Sequence, residues 1–166
     1  MSKQLCRVID LSLRMCEGIA RTPFQDAKVS WQSEAALALL LINLKDVLGA
    51  LKTLGHRIDF NDDVDGGGDI TDLVANMRNA ICHNGSPLRM FDPENNNSLS
   101  FNVITGKLTL MQIGDFVIGN PYPDDVAFFY GRLRILLVRQ IYRAIREART
   151  VFPVVAAKHG YKIYPG

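Results

Sequence analysis

Apolar side chains recur every three or four positions through much of the chain, which is the spacing of helices that bury one face. The predicted helices cover about residues 2–20, 33–54, 70–83 and 124–151, with Ser33 and Asp69 as N-caps and Gly55, Asn84-Gly85 and Pro153 as stops. The second helix is apolar nearly all round at "EAALALLLINL" (residues 34–44), so we expect it to lie at the centre of a helical bundle.

The period of the pattern changes from 3.6 to 2 between residues 99 and 113, which is typical of strands. Leu99, Phe101 and Val103 alternate with polar residues, Thr105-Gly106 is a suitable turn, and Leu108 and Leu110 continue the alternation. The sequence therefore predicts a β-hairpin inserted into a mainly all-α fold, a bundle of four to five helices.

The composition is that of one globular domain covering residues 1–166, since 48% of the 166 residues are hydrophobic and 22% are charged. The net charge of +2 is too small to indicate a partner. Three cysteines, an odd and sparse set, favour a reducing compartment over a disulfide framework. No apolar run approaches the ~20 residues that span a membrane. We expect a cytoplasmic protein that has no membrane partner and needs no cofactor.

An acidic loop precedes the third predicted helix and matches part of a calcium-loop pattern. The residues that match are, in order, Asn61, Asp63, Asp65, Gly66, Asp69 and Asp72. They occupy the first, third, fifth, sixth, ninth and twelfth positions of the pattern. The match departs from the pattern because the first ligand is Asn, the last is Asp instead of the longer Glu, and Gly68 replaces a hydrophobic residue. We interpret the segment from Asn61 to Asp72 as a solvated acidic loop and predict no metal site. Whether the loop binds an ion stays open.

Three polar residues near the end of the third helix suggest a functional site. On a helix that turns about 100° per residue, Asn79 and His83 share one polar stripe, whereas Arg78 lies about 140° from His83. Arg78 and His83 can therefore meet only if the helix ends or bends at His83, or if a second copy of the helix supplies one of them. A two-fold axis would bring two copies together, so we predict a homodimer.

These residue types suit metal-free cleavage of RNA. Histidine exchanges a proton near neutral pH, and arginine presents a fork of donors that matches phosphate oxygens. Asn79 could orient His83 or donate to the same phosphate. The simpler alternative is that Arg78 and His83 are solvated, with His83 interacting with the helix C-terminus.

The segment "RNAICH" (residues 78–83) resembles the signature of HEPN-domain proteins, in which an arginine, often followed by Asn, precedes a histidine near the end of a helix. The resemblance implies a helical dimer with a composite active site at its interface, which combines both copies of the motif, and with Arg78, Asn79 and His83 as the catalytic residues. It also implies a metal-independent endoribonuclease, the toxin of a toxin–antitoxin or phage-defence system, which a protein antitoxin would control.

Two departures from the HEPN pattern bear on that expectation. Many HEPN toxins carry a tyrosine two residues after the histidine, where this chain has Gly85. The predicted hairpin is an addition to a minimal bundle. Because some HEPN domains have no nuclease activity, the alternative is a non-catalytic module that binds a protein or nucleotide.

The last predicted helix carries a stripe of arginines. Arg132, Arg139, Arg143 and Arg146 fall within about 60° on a helical wheel, opposite the apolar side of the helix. A solvated face explains this pattern as well as a binding surface does. Arginine in place of lysine favours phosphate or carboxylate, so we predict that the stripe binds RNA or an acidic antitoxin.

Overall fold

The computed structural model describes residues 1–21, 24, 29–65, 68–92, 94–113 and 116–163. Over these residues the helices are α1 Ser2–Ile19, α2 Trp31–Thr53, α3 Ile70–Cys82 and α4 Arg143–Lys158, with a short 3₁₀ helix at Pro87–Arg89 and a π-helical segment at Leu137–Tyr142. The strands are β1 Met90–Asp92, β2 Asn97–Ser98, β3 Asn102–Thr105, β4 Leu108–Ile113, β5 Phe116–Asn120, β6 Val126–Tyr130 and β7 Leu133–Leu136. The fold is mixed α/β, and the predicted all-α bundle is wrong.

The helices confirm the 3.6-residue pattern over the first half of the chain. α1 and α2 pack against each other, and the central α2 buries Leu37, Leu41, Leu44 and Leu48 completely. The N-cap of α2 is Ser30, whose Oγ accepts from the Ser33 amide at 3.1 Å, so the helix begins earlier than predicted. Apolar faces at helical spacing therefore located these helices well.

The prediction of one helix over residues 124–151 is wrong, because β6 and β7 occupy its first part. β6 is buried on both faces. Val126, Phe128 and Tyr130 belong to the main core, whereas Ala127 and Phe129 belong to a second, smaller cluster. A strand that is buried on both sides is continuously apolar, so its sequence lacks the alternation that would distinguish it from a buried helix.

The predicted hairpin is also wrong in its pairing, although both of its strands exist. β3 pairs antiparallel with β6, with Asn102 opposite Phe129, and β6 pairs with β7 in a sheet of order β3-β6-β7. β4 pairs instead with β5, with Leu108 opposite Asn120. The partners of both strands come later in the chain than the predicted hairpin extends.

The last helix begins later and ends later than predicted. Its π-helical start is fixed by the buried carboxylate of Asp125, which accepts from the amides of Val138 at 2.8 Å and Arg139 at 3.1 Å. Pro153 lies inside α4, which continues to Lys158, so its predicted role as a stop is wrong. None of the described helices combines the length and hydropathy needed to cross a membrane.

Candidate functional site

The two ends of helix α3 determine where its polar residues lie. The side chain of Asp69 accepts from the Asp72 amide at 3.0 Å, which confirms Asp69 as the N-cap. The helix stops at Cys82. His83 has extended backbone angles, φ −124° and ψ 103°, and its amide donates to the Asn79 carbonyl at 3.2 Å. His83 therefore leaves the helical path.

This change of direction brings Arg78, Asn79 and His83 together in one chain. Nη1 of Arg78 lies 3.3 Å from Nε2 of His83 and donates to Oδ1 of Asn79 at 3.2 Å. The helix ends at His83, which was one of the two ways for Arg78 and His83 to meet. A second copy is not needed for this contact, so the geometry no longer supports a homodimer, which stays a prediction.

The cluster is open to solvent on one side. His83 is exposed, whereas Arg78 and Asn79 are half-buried. Nε of Arg78 is buried and has no hydrogen-bond partner among the described residues. Because a guanidinium has only donors, the Arg78–His83 contact is a hydrogen bond when Nε2 of His83 carries no proton. No carboxylate ion pair to Arg78 occurs among the described residues.

Arg89 caps the C-terminal end of α3, a role that was not predicted from the sequence. Its Nε donates to the Ala80 carbonyl at 2.6 Å and its Nη2 to the Ile81 carbonyl at 3.1 Å. The guanidinium also lies 5.2 Å from the centre of the Tyr130 ring. The side chain that caps α3 is therefore Arg89, and His83 points to Arg78 instead. The one signal in the sequence is a basic residue just after the helix stop.

A close backbone approach supports the segment that carries Arg89. Gly131 has a φ of +54°, and a Cβ at this position would lie 2.2 Å from the Leu88 carbonyl oxygen. The Tyr130 hydroxyl donates to the Glu34 carboxylate. Burial and this hydrogen bond raise the pKa of Tyr130, so the phenol keeps its proton. The β6–β7 turn thus packs against the segment that carries Arg89.

The four arginines predicted as a helical stripe do not share a helix. Arg132 lies in the β6–β7 turn, where its Nε donates to the Phe91 carbonyl at 2.8 Å, and Arg139 lies in the π-helical segment. Arg143 and Arg146 belong to α4. Arg132 is therefore separated from the predicted arginine face, because that face depended on the helix that β6 and β7 replace, whereas Arg139, Arg143 and Arg146 line one pocket together.

Two of these arginines are neutralised by carboxylates. Arg139 pairs with Asp124 at 3.0 Å and with the buried Asp125 at 3.3 Å. Arg143 pairs with Asp62 at 2.5 Å and with Glu147 at 2.7 Å. Each guanidinium also covers an aromatic ring, Arg139 over Tyr122 at 3.8 Å and Arg143 over Phe60 at 3.9 Å. Arg146 is exposed and has no ion pair with any described residue.

The acidic loop supplies carboxylate partners to Arg143 and to two further arginines, Arg134 and Arg57. Nη2 of Arg134 donates to Asp65 at 3.0 Å, and Arg57 pairs with Asp69 at 2.5 Å and with Asp72 at 2.8 Å. Asp63 accepts from the hydroxyl of Tyr122. Within the described ranges no three acidic, histidine or cysteine side chains form a metal-ligand group. Gly66 of the calcium-loop pattern lies outside the described residues.

Comparisons with known proteins add no identification. No protein-family model matches the chain, and searches of the curated proteins and of the solved structures found no similar protein. The resemblance of "RNAICH" to the HEPN signature therefore has no support beyond the motif itself.

Proposed function

We propose that the chain is a metal-independent endoribonuclease that cleaves RNA at Arg78, Asn79 and His83. The observation that supports this function is the 3.3 Å contact between Nη1 of Arg78 and Nε2 of His83 within one chain. It places a proton-exchanging group in direct contact with a permanent positive charge, so a phosphodiester that displaced this contact would meet both groups. Nε of Arg78 is buried without a partner among the described residues, so a movement of the side chain toward a phosphate would break no hydrogen bond at this atom and would let it donate to a phosphate oxygen.

The proposed reaction begins when an RNA phosphate displaces Arg78 from His83. Nε2 of His83 then takes the proton of the 2′-hydroxyl, whose oxygen attacks the adjacent phosphorus. The bond from phosphorus to the 5′ oxygen breaks with its electron pair, and the 5′ oxygen takes a proton from water. The products are a 2′,3′-cyclic phosphate and a 5′-hydroxyl.

Arg78 and Asn79 have separate roles in this proposal. The guanidinium of Arg78 stabilises the extra negative charge on the phosphate oxygens as the 2′ oxygen attacks. Asn79 accepts from Nη1 of Arg78 at 3.2 Å and so holds the guanidinium beside His83. Asn79 acts through Arg78, so its loss is expected to be milder than the loss of either neighbour.

The biological setting of the proposal depends on the "RNAICH" resemblance alone. In that setting the chain is a toxin or phage-defence effector that acts on RNA as a homodimer, and a protein antitoxin controls it. The dimer would place two complete sites near each other, because each chain already contains Arg78, Asn79 and His83 together. Cytoplasmic action fits a nuclease that acts on cellular RNA.

RNA contacts by Arg132, Arg139, Arg143 and Arg146 remain a prediction. RNA would compete with Asp124 and Asp125 for Arg139, and with Asp62 and Glu147 for Arg143. The pairs with the exposed Asp124 and Asp62 are the easier ones to exchange, since ion pairs at the surface contribute little.

The second candidate is a non-catalytic interaction or nucleotide-binding module. It is favoured by the same contact, since Arg78 occupies the nitrogen of His83 that would act as a base. In this case Arg78 would bind an anion without any proton transfer. The two candidates differ in one observable, the cleavage of RNA.

Incubation of single-stranded RNA with the purified protein in excess EDTA tests the proposal. We expect cyclic-phosphate products with the wild type and none with His83→Ala. His56→Ala is the matched control, because it removes a half-buried histidine from the loop after α2 and should cleave like the wild type. Equal cleavage by His83→Ala and wild type would reject the catalytic assignment, and an inactive wild type that binds RNA would favour the second candidate.

A further inference from the structure

A groove that is lined by arginines lies between α1 and the start of α4. It has a volume of about 630 Å³ and lies against the C-terminal end of α1. Its lining residues are Glu17, Ala20, Arg21, Tyr142, Ile145, Arg146, Arg149 and Thr150. A groove of this size accommodates a mononucleotide, because small-molecule sites are commonly about 300–1,000 Å³.

The positive charge of the groove is only partly neutralised. Arg149 pairs with Glu17 at 3.2 Å. Arg21 and Arg146 are exposed, and neither forms an ion pair with another described residue. Two guanidinium groups are thus left over, which matches the charge of a phosphomonoester. Arg139 and Arg143, by contrast, are already paired with carboxylates.

The floor of the groove is apolar and held in place. Ile145 is 7% exposed, and Tyr142 is half-buried with its hydroxyl donating to the Ala20 carbonyl at 3.0 Å. Burial raises the pKa of Tyr142, so the phenol remains the donor in this bond. The bond joins the last turn of α1 to the start of α4 and fixes the aromatic side chain before any ligand arrives. An aromatic and aliphatic floor favours a ligand with a planar apolar body.

We propose that this groove binds a free nucleoside monophosphate, with the phosphate at Arg21 and Arg146 and the base on Tyr142 and Ile145. The paired Arg149 and Glu17 form one wall, and Arg149 remains close enough to the groove to add to its positive potential. The inference does not depend on RNA cleavage, since none of the groove residues belongs to the Arg78–His83 cluster.

Titration calorimetry with adenosine 5′-monophosphate tests the proposal on the full chain. Ribose 5-phosphate lacks the base and adenosine lacks the phosphate, so each is expected to bind at least tenfold more weakly than the complete nucleotide. Binding of ribose 5-phosphate as strong as that of the nucleotide would overturn the role of Tyr142 and Ile145. No binding of the nucleotide at millimolar concentration would overturn the site.

Two variants locate the binding within the groove. Arg146→Ala is expected to weaken nucleotide binding about tenfold or more, because hydrogen bonds between charged groups are lost. Lys158→Ala removes one positive charge from an exposed position of the same helix, outside the groove, and should bind like the wild type. An equal loss in both variants would show a non-specific effect of charge and contradict the proposal. Both substitutions are at exposed positions, so thermal unfolding should confirm that each variant is folded.

Discussion

The two arginine clusters of this protein differ in what faces the guanidinium. Arg78 faces a histidine and an asparagine, at 3.3 Å and 3.2 Å. Arg139 faces two carboxylates, one of them completely buried, and covers the ring of Tyr122. A histidine and an amide leave the positive charge available to an anion, whereas carboxylates neutralise it. The comparison predicts that Arg78 is more open to an anion than Arg139, because the neighbours of Arg78 leave its charge unpaired.

The largest expected effect is on the rate of RNA cleavage, in which variants of Arg78 and Arg139 should differ. Arg78→Ala should lower the rate of RNA cleavage by about 10²–10³-fold, which is the usual effect of removing one oriented charge-stabilising donor. Arg78→Lys should restore little, because an ammonium lacks the planar fork. Cleavage rates are measured with saturating RNA, and circular dichroism checks the fold. Arg139→Lys is the matched control. As a predicted RNA contact, Arg139 could change the affinity for RNA, but Arg139→Lys should keep the cleavage rate at saturating RNA, and a loss of that rate as large as that of Arg78→Lys would contradict the comparison.

The next effect concerns stability and compares Asp125 with its neighbour Asp124. Both carboxylates pair with Arg139, but the side chain of Asp125 is 0% exposed and that of Asp124 is 67% exposed. Asp125→Ala should lower the free energy of unfolding by about 3 kcal/mol, since it breaks a buried pair and leaves backbone amides without an acceptor.

Asp124→Ala serves as the control in the same urea denaturation. It should change the free energy of unfolding by less than about 1 kcal/mol, as for other surface ion pairs. Equal losses from the two variants would mean that Asp125 does not fix the start of the last helix.

A smaller effect is expected from the cap of α3. Arg89→Ala removes the donors to the Ala80 and Ile81 carbonyls and should let the end of α3 fray. We expect RNA cleavage to fall about tenfold through a lower kcat, because a small misplacement of catalytic groups reduces rate strongly. Arg132→Ala also removes an arginine bond to a backbone carbonyl and should leave kcat unchanged.

The smallest effect is on stability in acid and concerns Asp69. Burial by itself raises the pKa of Asp69, but hydrogen bonds from Arg57 and from the Asp72 amide outweigh it and hold the pKa below its usual value. Because the folded state has the lower pKa, this stabilisation is complete above the unfolded pKa of about 3.9 and is lost as the pH falls through the folded pKa. Between pH 6 and pH 2, the free energy of unfolding measured by urea denaturation should therefore fall less for Asp69→Asn than for the wild type. An equal fall in both proteins would contradict this assignment.

The sequence predicted the helical half of the fold because its apolar faces repeat at a helical period. α1 begins and ends within one residue of its predicted bounds, and Asp69 caps α3 as expected. The strands after residue 89 were harder to predict. β6 is apolar at every position because both of its faces are buried, and the pairing of β3 with β6 depends on contacts more than twenty residues apart.

The sequence predicted two ways for Arg78 and His83 to meet, a helix that ends at His83 or a second copy of the helix, but not which of them occurs. The helical wheel placed Arg78 and His83 on different sides, and only the extended backbone of His83 brings them together. The ion pairs between the acidic loop and the arginines could not be predicted, because they join residues such as Asp62 and Arg143 across 81 positions of the chain. The acidic loop and its arginine partners, which are far apart in the sequence, therefore neutralise each other in the folded chain.

A mixing experiment tests the central claim that Arg78 and His83 act within one chain. Arg78→Ala and His83→Ala are each purified, mixed in equal amounts after dissociation in mild urea and return to buffer, and assayed for RNA cleavage in EDTA beside the wild type treated in the same way. If each site is complete within one chain, no mixed assembly contains an intact site. The mixture should therefore be as inactive as its components. Recovery of about a quarter or more of the wild-type activity would contradict the account, because it would show that Arg78 of one chain works with His83 of another.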